Sequence, residues 1–296
     1  MGDLGIQFEA LRRREDYDLV YAPCQTVTCF LGVLSYFGIF KKKIVAIAHH
    51  PFMKGRLGAL RKYSLYFALR GHTLYPALGQ RVAEEINHIA ACTLSRPLHW
   101  GPELEYYDRI SARLERRNEI DLLAIGRTGR DYQVLIRAFE GSSIRVHIYT
   151  TRDFVPEKAP RPNIRIHYLD DAEQMKYPEV IRLILCAKIL AIPLFIDNNL
   201  SGLTGVTDGL ALSVPMLITR NKYIDADIEE AGAGYWIDFG DAKGWRNRAE
   251  GILKDSSALM TMGKNARRLA EEKFNSNIFG REVAGIIEEA SGPSFK

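Results

Sequence analysis

The sequence predicts an α/β protein of two doubly wound units, and three observations carry that prediction. Short continuous apolar runs recur along the chain, as parallel strands covered on both faces require. They alternate with stretches long enough to be helices, in strand–helix–strand order in both halves. The composition shifts at 111–118, SARLERRN, which reads as a helix end followed by a linker. A chain of 296 residues is long enough for two domains with separate cores.

The elements follow in order. Residues 18–22, DLVYA, form an apolar run after a charged stretch and read as a buried strand. Residues 26–40 read as an apolar helix with Gly38 near its end, and 44–48, IVAIA, as a second buried strand. A basic amphipathic helix is expected over 57–71, a short strand over 73–78 and a helix over 81–90. Beyond the linker, strands are expected at 121–125, 144–149, 164–168, 189–193, 215–218 and 234–237. The intervening helices are expected at 132–139, 177–186, 208–212, 224–230, 243–253 and 256–274. No internal repeat is present.

Composition narrows the function classes. Hydrophobic residues make up 47% and charged residues 26%, and the net charge is +4, with no base-reading motif, so nucleic acid is not an expected partner. Cys24, Cys29, Cys92 and Cys186 form no CxxC pair and read as reduced thiols of a cytosolic protein. The histidines show no metal-ligand spacing, so no metal site is expected. The first 18 residues are too polar for a signal peptide. The longest apolar stretch, 29–40, is short of the ~20 residues that span a bilayer. A cytoplasmic location is expected, with peripheral contact at the inner face of the membrane left open. Lys54, Arg56, Arg61, Lys62 and Arg70 interleave with Leu57, Leu60, Tyr63, Leu65, Tyr66 and Phe67. Such a helix can lie on anionic lipid, or pack in its domain with its charges solvated.

Three segments carry candidate chemistry. In 198–215, NNLSGLTGVTDGLALSVP, small polar residues and glycines lead from a strand into a helix. Unpaired amides at a helix start favour an anion, and Gly202 and Gly205 would let a phosphate come close to the backbone. Thr204 falls at the helix start, and Asp208, one turn in, could accept from sugar or ribose hydroxyls. The alternative is an ordinary loop capped by Ser or Thr. In 126–132, GRTGRDY, Gly126, Arg127 and Arg130 follow a strand, at the edge where open α/β sheets bind ligands. Guanidinium groups suit diphosphate oxygens; Asp131 is an equally plausible partner that orients Arg130. In 48–51, AHHP, His49 and His50 follow a strand and could act as contact, acid or base, or be plain loop residues.

These segments, in this order, resemble the retaining GT-B glycosyltransferases of the glycogen-synthase and lipopolysaccharide type. The resemblance lies in IGRTGRDY, in SGLTGVTDGLALSVPML with Asp208, Ala211 and Pro215 in matching places, and in EAGAGYWID. The stretch ARRLAEEKFNSNIFGREVAGII looks like the family's closing helices; DYDLVYA, IVAIAHH and LHWGPELEYY look like its acceptor domain and the approach to its linker. Leu200 stands where the family has its first acid, Asp208 where it has a glutamate, and Arg130 accompanies Arg127 in place of a lysine.

The resemblance implies a GT-B fold of two Rossmann-like domains: an acceptor-side domain over 1–115, a nucleotide-sugar domain over 116–275, and a closing helix over 276–296 that crosses back. It also implies further strand–helix units before 18–22, so the first domain is expected to be incomplete and open to a protein partner that completes it. The implied reaction moves a sugar from a nucleotide-diphosphate sugar to a glycan or lipid-linked acceptor hydroxyl, with retention and no separate cofactor. Arg127, Arg130 and the amides from Gly202 to Gly205 would meet the diphosphate. Asp208 would hold the ribose, and Asn198, Asn199 and Ser201 the sugar. His49 or His50 would face the reaction centre. Two alternatives stand beside this reading: an inactive glycosyltransferase-like binding subunit, and a nucleotide-sugar 2-epimerase.

Overall fold

The computed structural model describes residues 3–25, 27–53, 58–114, 119–169, 175–195 and 199–292, the side chains of 58–60 excepted. The chain divides into two compact units: Met1–Trp100 with Asn198–Leu200 and Asn277–Lys296, and Gly101–Asp197 with Ser201–Ser276.

The first unit contains α1 (Leu4–Arg12), β1 (Leu19–Ala22), α2 (Cys29–Tyr36), β2 (Lys43–Ala46), α3 (Gly58–Arg70) and α4 (Gln80–Ala90). Strands β1 and β2 pair in parallel, Leu19 opposite Lys43 and Ala22 opposite Ala46. Helix α4 buries Val82, Ala83, Ile86, Ile89 and Ala90, the one-sided spacing of a helix packed on a core. The strand expected over 73–78 forms only isolated bridges, Val45 to Leu74 and Ala48 to Ala77. Pro76 lies between these bridges and has no N–H to offer a ladder. The sequence reading missed α1, which starts at Asp3, whose carboxylate accepts from the Gly5 and Ile6 amides.

The second unit has one parallel sheet, ordered β5-β4-β3-β6-β7-β8. Its elements are α5 (Leu104–Ser111), β3 (Ile120–Ile125), α6 (Tyr132–Phe139), β4 (Val146–Thr150), β5 (Ile164–Tyr168), α7 (Tyr177–Leu185), β6 (Ala187–Ile192), α8 (Leu203–Ala211), β7 (Met216–Thr219), β8 (Gly234–Ile237), α9 (Ala242–Leu253) and α10 (Ser256–Glu272). Strands β3, β6 and β7 are almost wholly buried on largely apolar runs, whereas β4 alternates and β5 and β8 keep partly exposed residues. One core joins Leu122, Val146, Ile148 and Ile189 of the strands to Tyr132, Leu135 and Phe139 of α6 and Trp245 of α9. The expected helix at 224–230 is absent. There the Asp227 carboxylate accepts from the Glu229 and Glu230 amides at 3.2 and 3.1 Å, which closes a turn instead.

Helix α11 (Ser276–Ser291) belongs almost wholly to the first unit, where Ile286 and Ala290 pack with Val45, Ile47 and Leu98. His99 is tied to it, its amide and Nδ1 meeting the Glu282 carboxylate at 2.8 and 2.7 Å. The sequence reading put the domain boundary after residue 115, whereas the division falls between Trp100 and Gly101. Helix α5 goes with the second unit because Asp108 accepts from Arg267 of α10 at 2.7 and 2.8 Å, and Tyr107 bonds to α7 and α8.

Candidate functional site

The sheet of the second unit reverses its winding between β3 and β6, since β4 and β5 are laid down on one side and β6 to β8 on the other. Beyond the carboxyl ends of the strands at such a point, two loops diverge and leave a crevice. A cavity of about 370 Å³ lies there. Gly126, Arg127 and Arg130 line it from the loop after β3, and Thr204, Gly205 and Asp208 from α8. The rest of the wall is mostly apolar, with Ile125, Leu169, Val180, Ile184 and Ile192 among its residues, and Tyr177 also lines it.

Arg130 is the electrostatic centre of this cavity. Its Nη1 donates to the Thr128 carbonyl at 2.9 Å, while its Nε is fully buried with no hydrogen-bond partner among the described residues. No carboxylate pairs with it there, and burial pushes its pKa down. An unpaired buried cation is costly unless an anion completes it. The guanidinium lies against Gly126, whose φ is +154°; a Cβ at that position would come within 2.8 Å of Arg130 Nε. Asp131 does not orient Arg130, as one reading of the sequence allowed. It caps α6, accepting from the Val134 amide at 3.1 Å.

Helix α8 starts at Gly202, with φ +94° and no side-chain cap on its first turn. The sequence reading gave Gly202 and Gly205 to phosphate approach, but the geometry gives them first to packing. A Cβ at Gly205 would meet Ile192 Cδ1 at 3.1 Å, so the glycine lets α8 sit close on β6. The backbone of Gly205 still lines the cavity, and Gly202 does not.

Asp208 is buried, and both tyrosines beside it bond to one of its oxygens. Tyr107 and Tyr177 each reach Oδ1 at 2.6 Å, and their own hydroxyls are 2.7 Å apart. Burial raises the Asp208 pKa, and the two hydroxyl donors offset only part of that. Both tyrosine pKa values are raised well above the ordinary range by burial and by the neighbouring carboxylate. The sequence reading missed both tyrosines. Nothing in the spacing of residues 107, 177 and 208 announces that three elements converge on them.

The structure therefore gathers Gly126, Arg127, Arg130, Thr204, Gly205 and Asp208 at one cavity. Asn198 lies outside the described residues, and Asn199 falls in the first unit. Ser201 does not line the cavity; its carbonyl accepts from Asn221 Nδ2 at 3.0 Å. His49 and His50 lie in the first unit just after β2, where their amides donate to Gln25 Oε1, both at 2.7 Å. No cluster of three or more His, Cys, Asp or Glu among the described residues could hold a metal ion.

No protein-family model matches the chain, and no curated protein matches it by sequence. Solved structures do match. HepE from Anabaena, in complex with UDP, aligns at a TM-score of 0.75 and 14% identity over 98% of this chain and 84% of that one. A glycosyltransferase from Rickettsia africae aligns at 0.74 and 13% over 97% and 80%. Sucrose-phosphate synthase from Thermosynechococcus elongatus aligns at 0.67 and 13% over 95% and 76%. The fold is GT-B. In this GT-B chain the cavity with Arg130 and Asp208 belongs to the second Rossmann-like unit, at its topological switch point.

Proposed function

We propose that the second unit binds a nucleotide-diphosphate sugar and that the chain is a glycosyltransferase, transferring the sugar to a glycan or lipid-linked hydroxyl with retention. The observation that carries this reading is the buried, unpartnered Nε of Arg130 in the same cavity as Asp208 and the first turn of α8. A cation at one end and a carboxylate at the other suit a diphosphate joined to a ribose. In the reaction, the bond from the anomeric carbon to the diphosphate breaks and its electrons go to the departing phosphate. The acceptor oxygen bonds to the carbon and gives up its proton. Arg130, Arg127 and the amides of α8 would stabilise the leaving charge, the electrostatic help that matters most in a water-poor site. Proton handling by His49 or His50 is part of the proposal. The UDP held by HepE makes a uridine nucleotide the first to test.

Titration calorimetry with UDP, GDP and ADP on wild type, Arg130→Ala and Asp208→Ala tests the site. A charge-assisted bond contributes about 1.5–3 kcal/mol, so Arg130→Ala should weaken binding roughly tenfold to a hundredfold. Asp208→Ala should weaken the nucleoside diphosphate and leave inorganic pyrophosphate unchanged. If no nucleotide binds at millimolar concentration, the reading fails. Turnover of the bound sugar nucleotide then separates the classes: a transferase makes a glycosylated acceptor, a 2-epimerase an altered donor, and a binding subunit neither.

A membrane-surface role is a second reading, for which the first unit gives a specific observation. Tyr36 and Phe37 at the end of α2 pack with Tyr66 and Phe67 of α3, ring centroids 5.1–6.1 Å apart. Phe37, Ile39 and Tyr63 are exposed beside them, with Arg61, Lys62 and Arg70 also exposed. Lys54, Arg56 and Leu57 lie outside the described residues, and the side chain of Leu60 is not described. The sequence reading offered Leu57, Leu60, Tyr63, Leu65, Tyr66 and Phe67 to lipid. Tyr66 and Phe67 are half-buried against the end of α2, so the exposed apolar surface is shared between the two helices. No helix among the described residues is long and apolar enough to cross a membrane. Equal sedimentation with neutral and anionic vesicles at low salt would end this reading.

A further inference from the structure

Three oxygens meet at the ribose end of the proposed nucleotide site: Asp208 Oδ1, Tyr107 Oη and Tyr177 Oη, with separations of 2.6, 2.6 and 2.7 Å. Each separation is a hydrogen-bond length, and each bond needs one proton. With Asp208 ionised, the two hydroxyls supply two protons for three contacts. Both can point at the carboxylate, but their own oxygens then face each other with lone pairs only. With Asp208 protonated, a cyclic arrangement fills all three contacts, and the neutral acid is a weaker acceptor for a ligand hydroxyl than the carboxylate. The ring is thus satisfied when closed and neutral, and frustrated when ionised.

The two tyrosines are not equivalent. Tyr107 is 3% exposed and does not line the cavity, whereas Tyr177 is 40% exposed and does. Tyr177 and Asp208 line the cavity together and Tyr107 stands behind them, so the side of Oδ1 that Tyr177 covers is the side a ligand reaches. We propose that Tyr177 is a displaceable cover on Asp208: a ribose hydroxyl takes its place on Oδ1, while Tyr107 remains the fixed anchor. Displacement leaves two donors on an ionised carboxylate and removes the unprotonated contact between the tyrosines. The raised pKa of Asp208 agrees with a resting ring that holds the third proton. Nucleotide binding then expels that proton, and the expelled proton is the signature of the exchange. Tyr177 acts as a specificity-determining position, because it admits only ligands whose hydroxyls outcompete it for the carboxylate.

This inference rests on the nucleotide reading of the cavity, and the test separates the two. UDP and inorganic pyrophosphate are titrated into wild type, Tyr177→Phe, Tyr107→Phe and Asp208→Asn, in buffers of different ionisation enthalpy at pH 6, 7 and 8. Removing a competing neutral hydrogen bond should tighten UDP roughly three- to tenfold in Tyr177→Phe and leave pyrophosphate unchanged. Tyr107→Phe should weaken UDP by a similar factor. Wild type should release a proton with UDP beyond that seen with pyrophosphate, and Asp208→Asn should not. Weaker UDP binding by Tyr177→Phe would mean that its hydroxyl touches the nucleotide directly, and the cover is disproved. Unchanged affinity, or no extra proton released, disproves it as well. If wild type binds pyrophosphate but not UDP, or neither, the site reading itself falls and takes the cover with it.

Discussion

The two ends of the six-stranded sheet each bury a carboxylate, and the protein treats the two oppositely. Asp121, at the amino end of β3, meets Arg145 Nε and Nη2 at 3.1 and 3.2 Å, the Arg145 amide at 3.0 Å and Lys188 Nζ at 2.8 Å. Burial would raise its pKa, but these donors outweigh burial and hold it at about 2. Asp208, toward the carboxyl ends, has two neutral hydroxyls and no cation bonded to it, and its pKa is raised. Arg130, across the same cavity, has no carboxylate among the described residues. A charge with its partners in place serves the fold. A cation and an acid that share one cavity with only neutral partners are what a site looks like before its ligand arrives.

This contrast can be broken by substitution at each end. The largest effect is expected from Asp121→Asn, which leaves Lys188 and the half-exposed Arg145 without the negative charge and with one acceptor oxygen instead of two. Solvent screens part of the loss, so a destabilisation of about 2 kcal/mol is expected in urea unfolding, with UDP affinity unchanged. A loss of affinity equal to that of Arg130→Ala would show that the amino end of the sheet also serves binding.

Gly126→Ala should come next. The position has φ +154°, and an added Cβ would press on the Arg130 guanidinium. A destabilisation of about 1–2 kcal/mol is expected, accompanied by weaker binding of both UDP and pyrophosphate. Lost stability with full affinity would show that Arg130 does not need its present seat.

The smallest effect carries the opposite sign. Asp208→Asn removes a carboxyl that burial disfavours when charged, so at pH 7 it should leave stability equal or raise it by up to about 1 kcal/mol. The pH dependences should also diverge. Asp121, with a depressed folded pKa, contributes stability above the ordinary aspartate range, and that is lost as pH falls from about 4 toward 2. Asp208, with a raised folded pKa, costs stability at neutral pH, and that cost fades as pH falls toward the ordinary range. The stability gap between Asp208→Asn and wild type should therefore shrink from pH 7 to pH 5. A gap that widens would mean that Asp208 is ionised and compensated in the free protein.

The parallel sheet of the second unit was legible in the sequence because β3, β6 and β7 are largely apolar on both faces and the outer strands still carry short runs rich in apolar residues. The runs at 164–168 and 234–237 and the helix at 132–139 match β5, β8 and α6 to the residue. Gly126, Arg127 and Arg130 were legible as neighbours on one sheet edge for a similar reason, since a loop directly after a parallel strand lies at the carboxyl edge, where they line one cavity. The failures have local causes. Pro76 interrupts a ladder that apolarity alone predicts, and the Asp227 side chain closes a turn where helical periodicity is passable. Asp131 could accept either from the start of α6 or from Arg130, and sequence cannot choose between two donors within reach of one carboxylate.

What the sequence by itself determined is most of the order of strands and helices in the second unit, with Arg130 just after a strand and Asp208 on the helix that follows another, because each follows from periodicity or from a position next to a strand end. Only the tertiary structure decided which groups surround those charges. Tyr107 and Tyr177 reach Asp208 from α5 and α7, 101 and 31 residues away along the chain. The folding of three elements onto one carboxylate leaves no period or spacing to read, since side chains that meet through packing are chosen by geometry in space and not by distance in sequence.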